Sequence, residues 1–320
     1  MATTQIYIGG IPASAGDRWV LRERALDIYA HLRQANQPAP TVALLNVAAG
    51  PSSAGVDLLL LRPRALLAGT LRTFDGPIEA LPGRPWRGLG GATPPLPGPS
   101  PLDVARAARD AVALRLRDPL DRWGVPRAPR ILGAVVLFPA IHPDSRISLD
   151  IDDHRQGLKV LGLDELAGVA AMVSSGVELT EEQMRAVAEH VFGGRLWVDG
   201  GRMLFDLAPA RFALRLLDGE RAGEAVPLPE GETVVGRRRT ARRYERRVAI
   251  GGDDLISSDH ALLLCGDDEA VRLRDTSKNG TWIVRSDGQE QHLRGAEQVL
   301  APGAVLRMGV TRMRLERLND

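Results

Sequence analysis

The stretch RDTSKNGTWIV, residues 274–284, sets small polar residues directly before a strand of alternating character. Asp275, Ser277 and Asn279 are turn residues whose side chains bond the local backbone, and Gly280 tolerates positive φ. Such a loop either closes a hairpin or forms a wall of donors for an anionic ligand. Two more pieces place polar residues at strand ends. They are VVGRR (234–238), with Gly236 and Arg237, and ISSDHA (256–261), with Ser257, Ser258 and His260. An anion site needs charge-assisted donors at fixed positions, and arginine supplies a planar fork of them.

Other groupings point to less. Asp150, Asp152, Asp153 and His154 in SLDIDDHRQ form an acidic patch that reads as a solvated turn or a metal site. GGRLWVDGGR lacks the strand-then-helix context of a nucleotide loop. No Ser/His/Asp grouping stands out, and the single Cys265, inside ALLLC, reads as core packing.

The elements that must position these residues fall into two kinds. Segment 19–34 puts Leu21, Ala25, Ile28, Tyr29 and Leu32 on one helical face, and Pro38 and Pro40 stop it. Residues 41–50 and 55–72 read as strands, the second folded at Arg62-Pro63-Arg64. Seven prolines and five glycines within 82–101 predict an irregular excursion. Ser100, Pro101 and Asp103 then carry the cap, first-turn proline and acid that open a helix. ILGAVVLFPA (131–140) reads as a strand covered on both faces, and Thr180 with Gln183 as a capping box for a helix through Phe192. Beyond FGGR (192–195) the helices end. Short β runs follow at regular intervals: RFALRLL, ETVVGR, ALLLC, AVRLRD, TWIV, VLRMGV and RMRLER. That spacing predicts an all-β sandwich. The domain boundaries read as 1–195, a linker over 196–210, and 211–320.

Length and composition fit two globular domains: 320 residues, 44% hydrophobic, 25% charged, net charge +1. So even a balance points by itself neither to nucleic acid nor to a membrane surface. The lone cysteine requires no oxidising compartment. The N-terminus shows no basic region followed by an apolar core, and no apolar run reaches a membrane span of about 18 residues. The expectation is a cytoplasmic protein without membrane partners. Only Lys159 and Lys278 are lysines; the arginine bias carries no functional reading.

Over about residues 205–320 the chain resembles the forkhead-associated (FHA) domain, a β-sandwich whose loops bind phosphothreonine peptides. The family pattern GR…SxxH…DxSxNGT appears here in order as Gly236-Arg237, Ser257 to His260 and Asp275 to Thr281, followed by VLAPGAVLRMG (299–309). The resemblance implies that Arg237 contacts the phosphate and that Ser257 donates its hydroxyl. Ser258 stands beside it where an asparagine would make an amide contact. Lys278 takes a further phosphate-contacting place, and Asn279 holds the peptide backbone. Gly236, His260 and Gly280 are implied to be structural. The run RRRTARRYERR (237–247) holds seven arginines in eleven residues. It reads as a solvated loop, as a preference for acidic flanking residues, or as a nucleic-acid contact. Thr240 within it has the setting of a basophilic-kinase site.

About residues 15–193 resemble the nuclease-related (NERD) domain, a relative of the PD-(D/E)xK nucleases. The carrying pieces are RERALDIYAHL, VALLNV, GVDLLLLRPRALLAGTLRTFDGPI, SPLDVARAARDAV and AVVLFP. In that family an Asp at a strand start and a Glu-x-Lys on the next strand hold a divalent metal and the attacking water. Asp57 takes the first place and Glu23 that of an accessory acid. Thr70-Leu71-Arg72 stands where Glu-x-Lys is expected, which removes a metal ligand and a titratable amine. Asp75 and Glu79 lie on the far side of the strand end.

The combined expectation is an α/β nuclease-like domain without chemistry, needing no cofactor, followed by an FHA sandwich. Such a protein docks onto a threonine-phosphorylated partner, a Ser/Thr kinase or its substrate. The first domain offers a protein or nucleic-acid surface. The rival is a Mg²⁺-dependent nuclease targeted by phosphorylation; a third possibility is an FHA domain that binds unphosphorylated protein.

Overall fold

A computed structural model describes residues 3–35, 38–48, 55–74, 76–82, 84–89, 99–125, 127–173, 175–237, 246–266, 270–284 and 288–318. Thr240, Asp75 and most of the arginine run lie outside them. The chain divides into two compact units, Met1–Ile11 with Glu23–Phe205, and Pro12–Arg22 with Asp206–Asp320.

The first unit contains β1 (Thr4–Ile8), α1 (Ala15–Gln34), whose residues from Glu23 onward belong to it, β2 (Thr41–Ala48), β3 (Gly55–Arg62) and β4 (Ala65–Thr73). Then come the short β5 (Ile78–Ala80) and β6 (Arg87–Gly88), α2 (Pro101–Arg122), β7 (Arg130–Phe138), β8 (Arg146–Ile147), α3 (Ile151–Arg155) and β9 (Leu158–Gly162). It closes with α4 (Leu166–Met172), α5 (Glu181–Ala186), β10 (Arg195–Asp199) and β11 (Arg202–Met203). Eight strands form one mixed sheet in the order β11-β10-β1-β2-β3-β4-β7-β9. β2, β3 and β4 are an antiparallel meander, and α2 crosses over to bring β7 parallel to β4. Leu59, Leu61, Leu66 and Ala68 pack with Val112, Leu116 and Leu120 of α2, whereas Val135, Leu137 and Leu158 pack with Ile78 and Trp86. Apolar residues on both faces of a strand give the near-continuous runs of β3 and β7.

Several local expectations need correction. Ser100 occupies the N-cap place of α2, but its hydroxyl makes no capping bond, and Pro101 with Asp103 in the first turn carries the helix start. The capping box is present, with Thr180 Oγ1 accepting from Gln183 N at 3.1 Å. The helix it starts, however, widens to a π turn over Val187–Val191. The acidic patch is the start of α3 rather than a loop. Asp150 accepts from Asp153 N at 2.6 Å, and buried Asp153 pairs with Arg106 at 2.8 Å. Arg195–Asp199, which begins one residue before the expected linker, and Arg202–Met203 within it are strands β10 and β11 of this sheet.

The second unit is a sandwich of two sheets. Its strands are β12 (Ala210–Leu216), β13 (Ala225–Pro229), β14 (Gly231–Arg237), β15 (Arg247–Ile250), β16 (Ala261–Cys265) and β17 (Val271–Asp275). β18 (Thr281–Val284), β19 (Glu290–Leu293), β20 (Glu297–Leu300), β21 (Val305–Met308) and β22 (Thr311–Arg317) complete it. One sheet runs β13-β12-β22-β21-β18-β19 and the other β15-β14-β16-β17-β20. Alternate residues of both, among them Leu214, Val235, Leu263, Leu273, Leu306 and Met313, form the shared core. β16 and β17 show the pattern plainly, with buried Leu263 and Leu273 flanked by outward Leu264, Arg272 and Arg274. No helix among the described residues is long and apolar enough to cross a membrane.

Candidate functional site

The three polar pieces meet at the ends of the five-stranded sheet. Gly236 and Arg237 end β14, Ser257 to His260 form the loop into β16, and Asp275 to Gly280 connect β17 to β18. Register brings them side by side, because β14 pairs with β16 at Val235↔Ala261 and β16 with β17 at Ala261↔Asp275.

His260 is the brace. It is fully buried; its Nδ1 accepts from Ser257 N–H at 3.0 Å, and its Nε2–H donates to Gly280 O at 3.1 Å. Those two bonds fix the neutral tautomer, and burial holds the imidazole below its usual pKa. One ring thus ties the second loop to the third. Backbone bonds reinforce it: Arg237 N donates to Ser257 O at 2.9 Å, and Thr276 N to His260 O at 3.0 Å. Lys278 N lies 3.3 Å from Ser257 Oγ as its donor.

The glycines are required by what surrounds them. A Cβ on Gly236 would stand 2.2 Å from Ser258 O, so only glycine lets the loop lie on the end of β14. Gly280 sits at φ +82°, and a Cβ there would meet His292 Nε2 at 2.1 Å. That histidine stacks on Trp282 with ring centroids 4.3 Å apart and donates to Asn279 O at 3.1 Å.

Two buried carboxylates organise the loops. Asp275 Oδ1 accepts from Ser277 Oγ and Thr281 Oγ1, both at 2.9 Å, while its Oδ2 accepts from Gly295 N at 3.0 Å. Ser277 Oγ in turn accepts from Gly280 N at 2.7 Å. This is the local bonding anticipated for the turn. Asp253 drew no attention in the sequence, because nothing in GGDDL separates it from Asp254. Its Oδ1 accepts from Leu255 N at 3.0 Å, and its Oδ2 from Val310 N at 2.8 Å, Thr311 N at 3.2 Å and Thr311 Oγ1 at 3.1 Å. The Leu255 strut so fixed presents its carbonyl to Asn279 Nδ2 at 2.8 Å. Asn279 is thereby turned with one amide hydrogen and its carbonyl oxygen left over from that bond, a pairing suited to an extended peptide backbone.

On this scaffold Arg237 and Lys278 are exposed, and Ser257 and Ser258 are half-buried beside them. Arg237 Nη1 lies 3.3 Å from Asp254 Oδ1, a carboxylate on the solvent side. The arrangement offers a guanidinium, an ammonium, two hydroxyls and an amide at one end of a rigid sandwich. Such a donor set has the chemistry that an anion requires. The buried His260 is occupied on both ring nitrogens.

The residues singled out in the first unit also meet, with a different result. Asp57 on β3 faces β4, and its Oδ2 accepts from Thr70 Oγ1 at 2.9 Å, Leu71 N at 2.8 Å and Arg72 Nη1 at 3.4 Å. A single carboxylate oxygen holding three donors, one a guanidinium, does not fit a divalent cation, which needs a cluster of oxygen ligands. Among the described residues no group of three or more His, Cys, Asp or Glu side chains could hold a metal. Glu23 precedes Arg24, whose guanidinium reaches Thr73 Oγ1 at 3.4 Å near the end of β4. Glu79 bonds Arg87 Nε at 2.7 Å.

Comparison with known proteins agrees with the second unit. Residues 233–309 match the FHA domain family, so an FHA domain occupies that part of the chain, from β14 to the end of β21. A search of the curated proteins returns no match. Among solved structures, the FHA domain of FhaA, complexed with the intracellular domain of Rv3910, is 26% identical, with 33% of this chain and 99% of that chain covered and a TM-score of 0.25. The FHA domain of CT664 protein from Chlamydia trachomatis is 26% identical, covering 34% of this chain and 100% of its own, at a TM-score of 0.28. The N-terminal FHA domain of Rad53p from S. cerevisiae, in complex with a phosphothreonine peptide, is 19% identical, with 33% and 93% covered and a TM-score of 0.28.

Proposed function

We propose that the protein is a phosphothreonine-dependent binding module in Ser/Thr-kinase signalling, its partner a threonine-phosphorylated protein. The observation that carries this is the convergence of Arg237, Ser257, Ser258, Lys278 and Asn279 around the His260 brace, inside a region that matches the FHA family. Arg237 supplies the fork for the phosphate, Lys278 a second cation, and the Ser257 and Ser258 hydroxyls neutral donors. Asn279 fixes the peptide backbone beside the phosphate. In this reading the first unit is a nuclease-like scaffold without hydrolytic chemistry, supported by the internal pairing of Asp57 with Thr70 and Arg72.

Titration of the full chain with degenerate phosphothreonine peptides, against phosphoserine and unmodified versions, tests the proposal. Selective binding that is lost in Arg237→Ala is expected. Binding that survives Arg237→Ala or phosphatase treatment would instead favour recognition of unphosphorylated protein. Metal-dependent DNA cleavage that disappears in Asp57→Ala would promote the nuclease alternative.

A further inference from the structure

Resting on the phosphothreonine reading, we propose that Arg247 is a positioning residue for the anion site, a buried guanidinium that locks the loop bearing Ser257 and Ser258. In the sequence it is the last of the seven arginines of 237–247 and looks like part of a solvated run. In the fold Arg247 turns inward. Its side chain is only 6% exposed, a burial that arginine adopts when its donors are matched.

The partners are specific. Nη1 donates to Ser258 O at 2.6 Å and Nη2 to Asp259 Oδ1 at 2.5 Å, so one planar fork spans the backbone carbonyl and the carboxylate of consecutive residues. The Arg247 backbone opens β15 and stands opposite Val234 in the parallel pairing with β14. The guanidinium is therefore anchored to the strand that ends in Arg237. Ser258 O is also the atom that forbids a Cβ on Gly236, at 2.2 Å. The loop lies on the end of β14 because glycine leaves room there, and Arg247 draws the same carbonyl inward. His260 holds the Ser257 amide from the other side at 3.0 Å.

Two consequences follow from the chemistry. Arg247 acts through the loop and needs no contact with the phosphate. A lysine retains the charge but, as a single-point donor, does not span both acceptors, so it restores only part of the effect. Methionine keeps most of the apolar stem and removes the fork, which separates the hydrogen bonds from the packing.

The test compares the full-length wild type with Arg247→Met, Arg247→Lys and Arg237→Ala. It uses titration with a selected phosphothreonine peptide and hydrogen exchange of residues 255–260 in the ligand-free protein. Arg247→Met is expected to weaken the peptide about tenfold, the scale of one charge-assisted contact. Arg247→Lys should fall between, and loop protection should drop in Arg247→Met while β16 and β17 keep theirs. Wild-type affinity in Arg247→Met, with unchanged loop protection, overturns the proposal. Should the wild type bind no phosphopeptide, the phosphothreonine reading fails by itself, and the exchange experiment still judges the brace. Faster loop exchange in Arg247→Met then supports it, and unchanged exchange overturns it.

Discussion

Replacing His260 with leucine tests the idea that a single neutral imidazole holds the site together. Leucine fills similar space but removes both bonds. Gly280 O is then a buried acceptor without its donor, at a cost of about 1–3 kcal/mol. The Ser257 amide is only partly buried, and its loss is discounted to about 1 kcal/mol. The sum is about 2–4 kcal/mol, enough to weaken a domain of typical stability without unfolding it. Hydrogen exchange resolved to β14, β16 and β17 should show protection falling by that amount while the sheet of the first unit is unaffected. The ionisation adds an independent check. Burial holds the folded-state pKa of His260 below its ordinary value of about 6.5, so the unfolded chain takes up the proton first. The stability His260 contributes is therefore complete above about pH 6.5 and is lost as the pH falls toward the lower, folded-state value. The wild type should lose stability across that window more steeply than His260→Leu, and the difference isolates this group from the carboxylates. A loss under about 1 kcal/mol, or identical acid slopes in the two proteins, would refute the bracing role.

Further expectations follow from the same geometry. Gly236→Ala forces the Ser258 carbonyl away from a Cβ that would lie 2.2 Å from it, and should weaken phosphopeptide binding about tenfold or more in titration while circular dichroism stays native. Asp254→Asn removes the carboxylate 3.3 Å from the Arg237 guanidinium; peptide affinity should rise at most about fivefold, most clearly at low salt. Asp57→Asn should lower the stability of the first unit by about 1 kcal/mol, because Thr70, Leu71 and Arg72 all lean on one half-exposed carboxylate oxygen. Millimolar Mg²⁺ should leave the wild-type Tm unchanged, and a rise of several degrees would contradict the internal pairing. Burial pushes the Cys265 thiol up to about 11, so a thiol reagent at pH 8 should label it only after unfolding.

What the sequence disclosed in the sandwich, and what it withheld, divides along a physical line. RFALRLL, ETVVGR, ALLLC, AVRLRD, TWIV, VLRMGV and RMRLER became β12, β14, β16, β17, β18, β21 and β22, all interior to their sheets. The unseen strands β13, β15, β19 and β20 are the four sheet edges. An edge strand has one neighbour and carries prolines or charges that discourage a second, which erases the apolar alternation. Pro227 and Pro229 sit in β13, and Glu290 and Glu297 open β19 and β20. The bonding within the loop at 275–281 was legible because turn chemistry is local, whereas the roles assigned to Arg237, Ser257, Ser258, Lys278 and Asn279 came from the family resemblance. Arg247 and Asp253 were not, since their partners lie across loops from them and the surrounding runs of like residues hide which member turns inward.

The two units put carboxylates to opposite uses, and the contrast bears on why the loop end of the sandwich, and not the Asp57 cluster, is the proposed ligand site. In the first unit Asp57 is the acceptor on which a hydroxyl, an amide and a guanidinium converge, so the cluster satisfies itself and offers little to an incoming ion. In the second unit Asp253 and Asp275 point inward and bind loop amides and hydroxyls, and Asp259 engages the buried Arg247. The buried carboxylates of Asp253 and Asp275 thereby hold loop geometry beneath the surface, while Arg237 and Lys278 are exposed above it, with Asp254 beside Arg237. Under the proposed phosphothreonine reading, a preorganised cationic rim on an anion-braced base keeps the donors in place before a phosphate arrives, so binding need not also order the loops. The same layout predicts that substitutions in the base, at Asp253 or Asp275, act through loop order, whereas substitutions in the rim act through charge. Salt titration of phosphopeptide affinity separates them. Arg237→Ala should flatten the salt dependence, and Asp275→Asn should lower affinity at every salt concentration while leaving the slope in place.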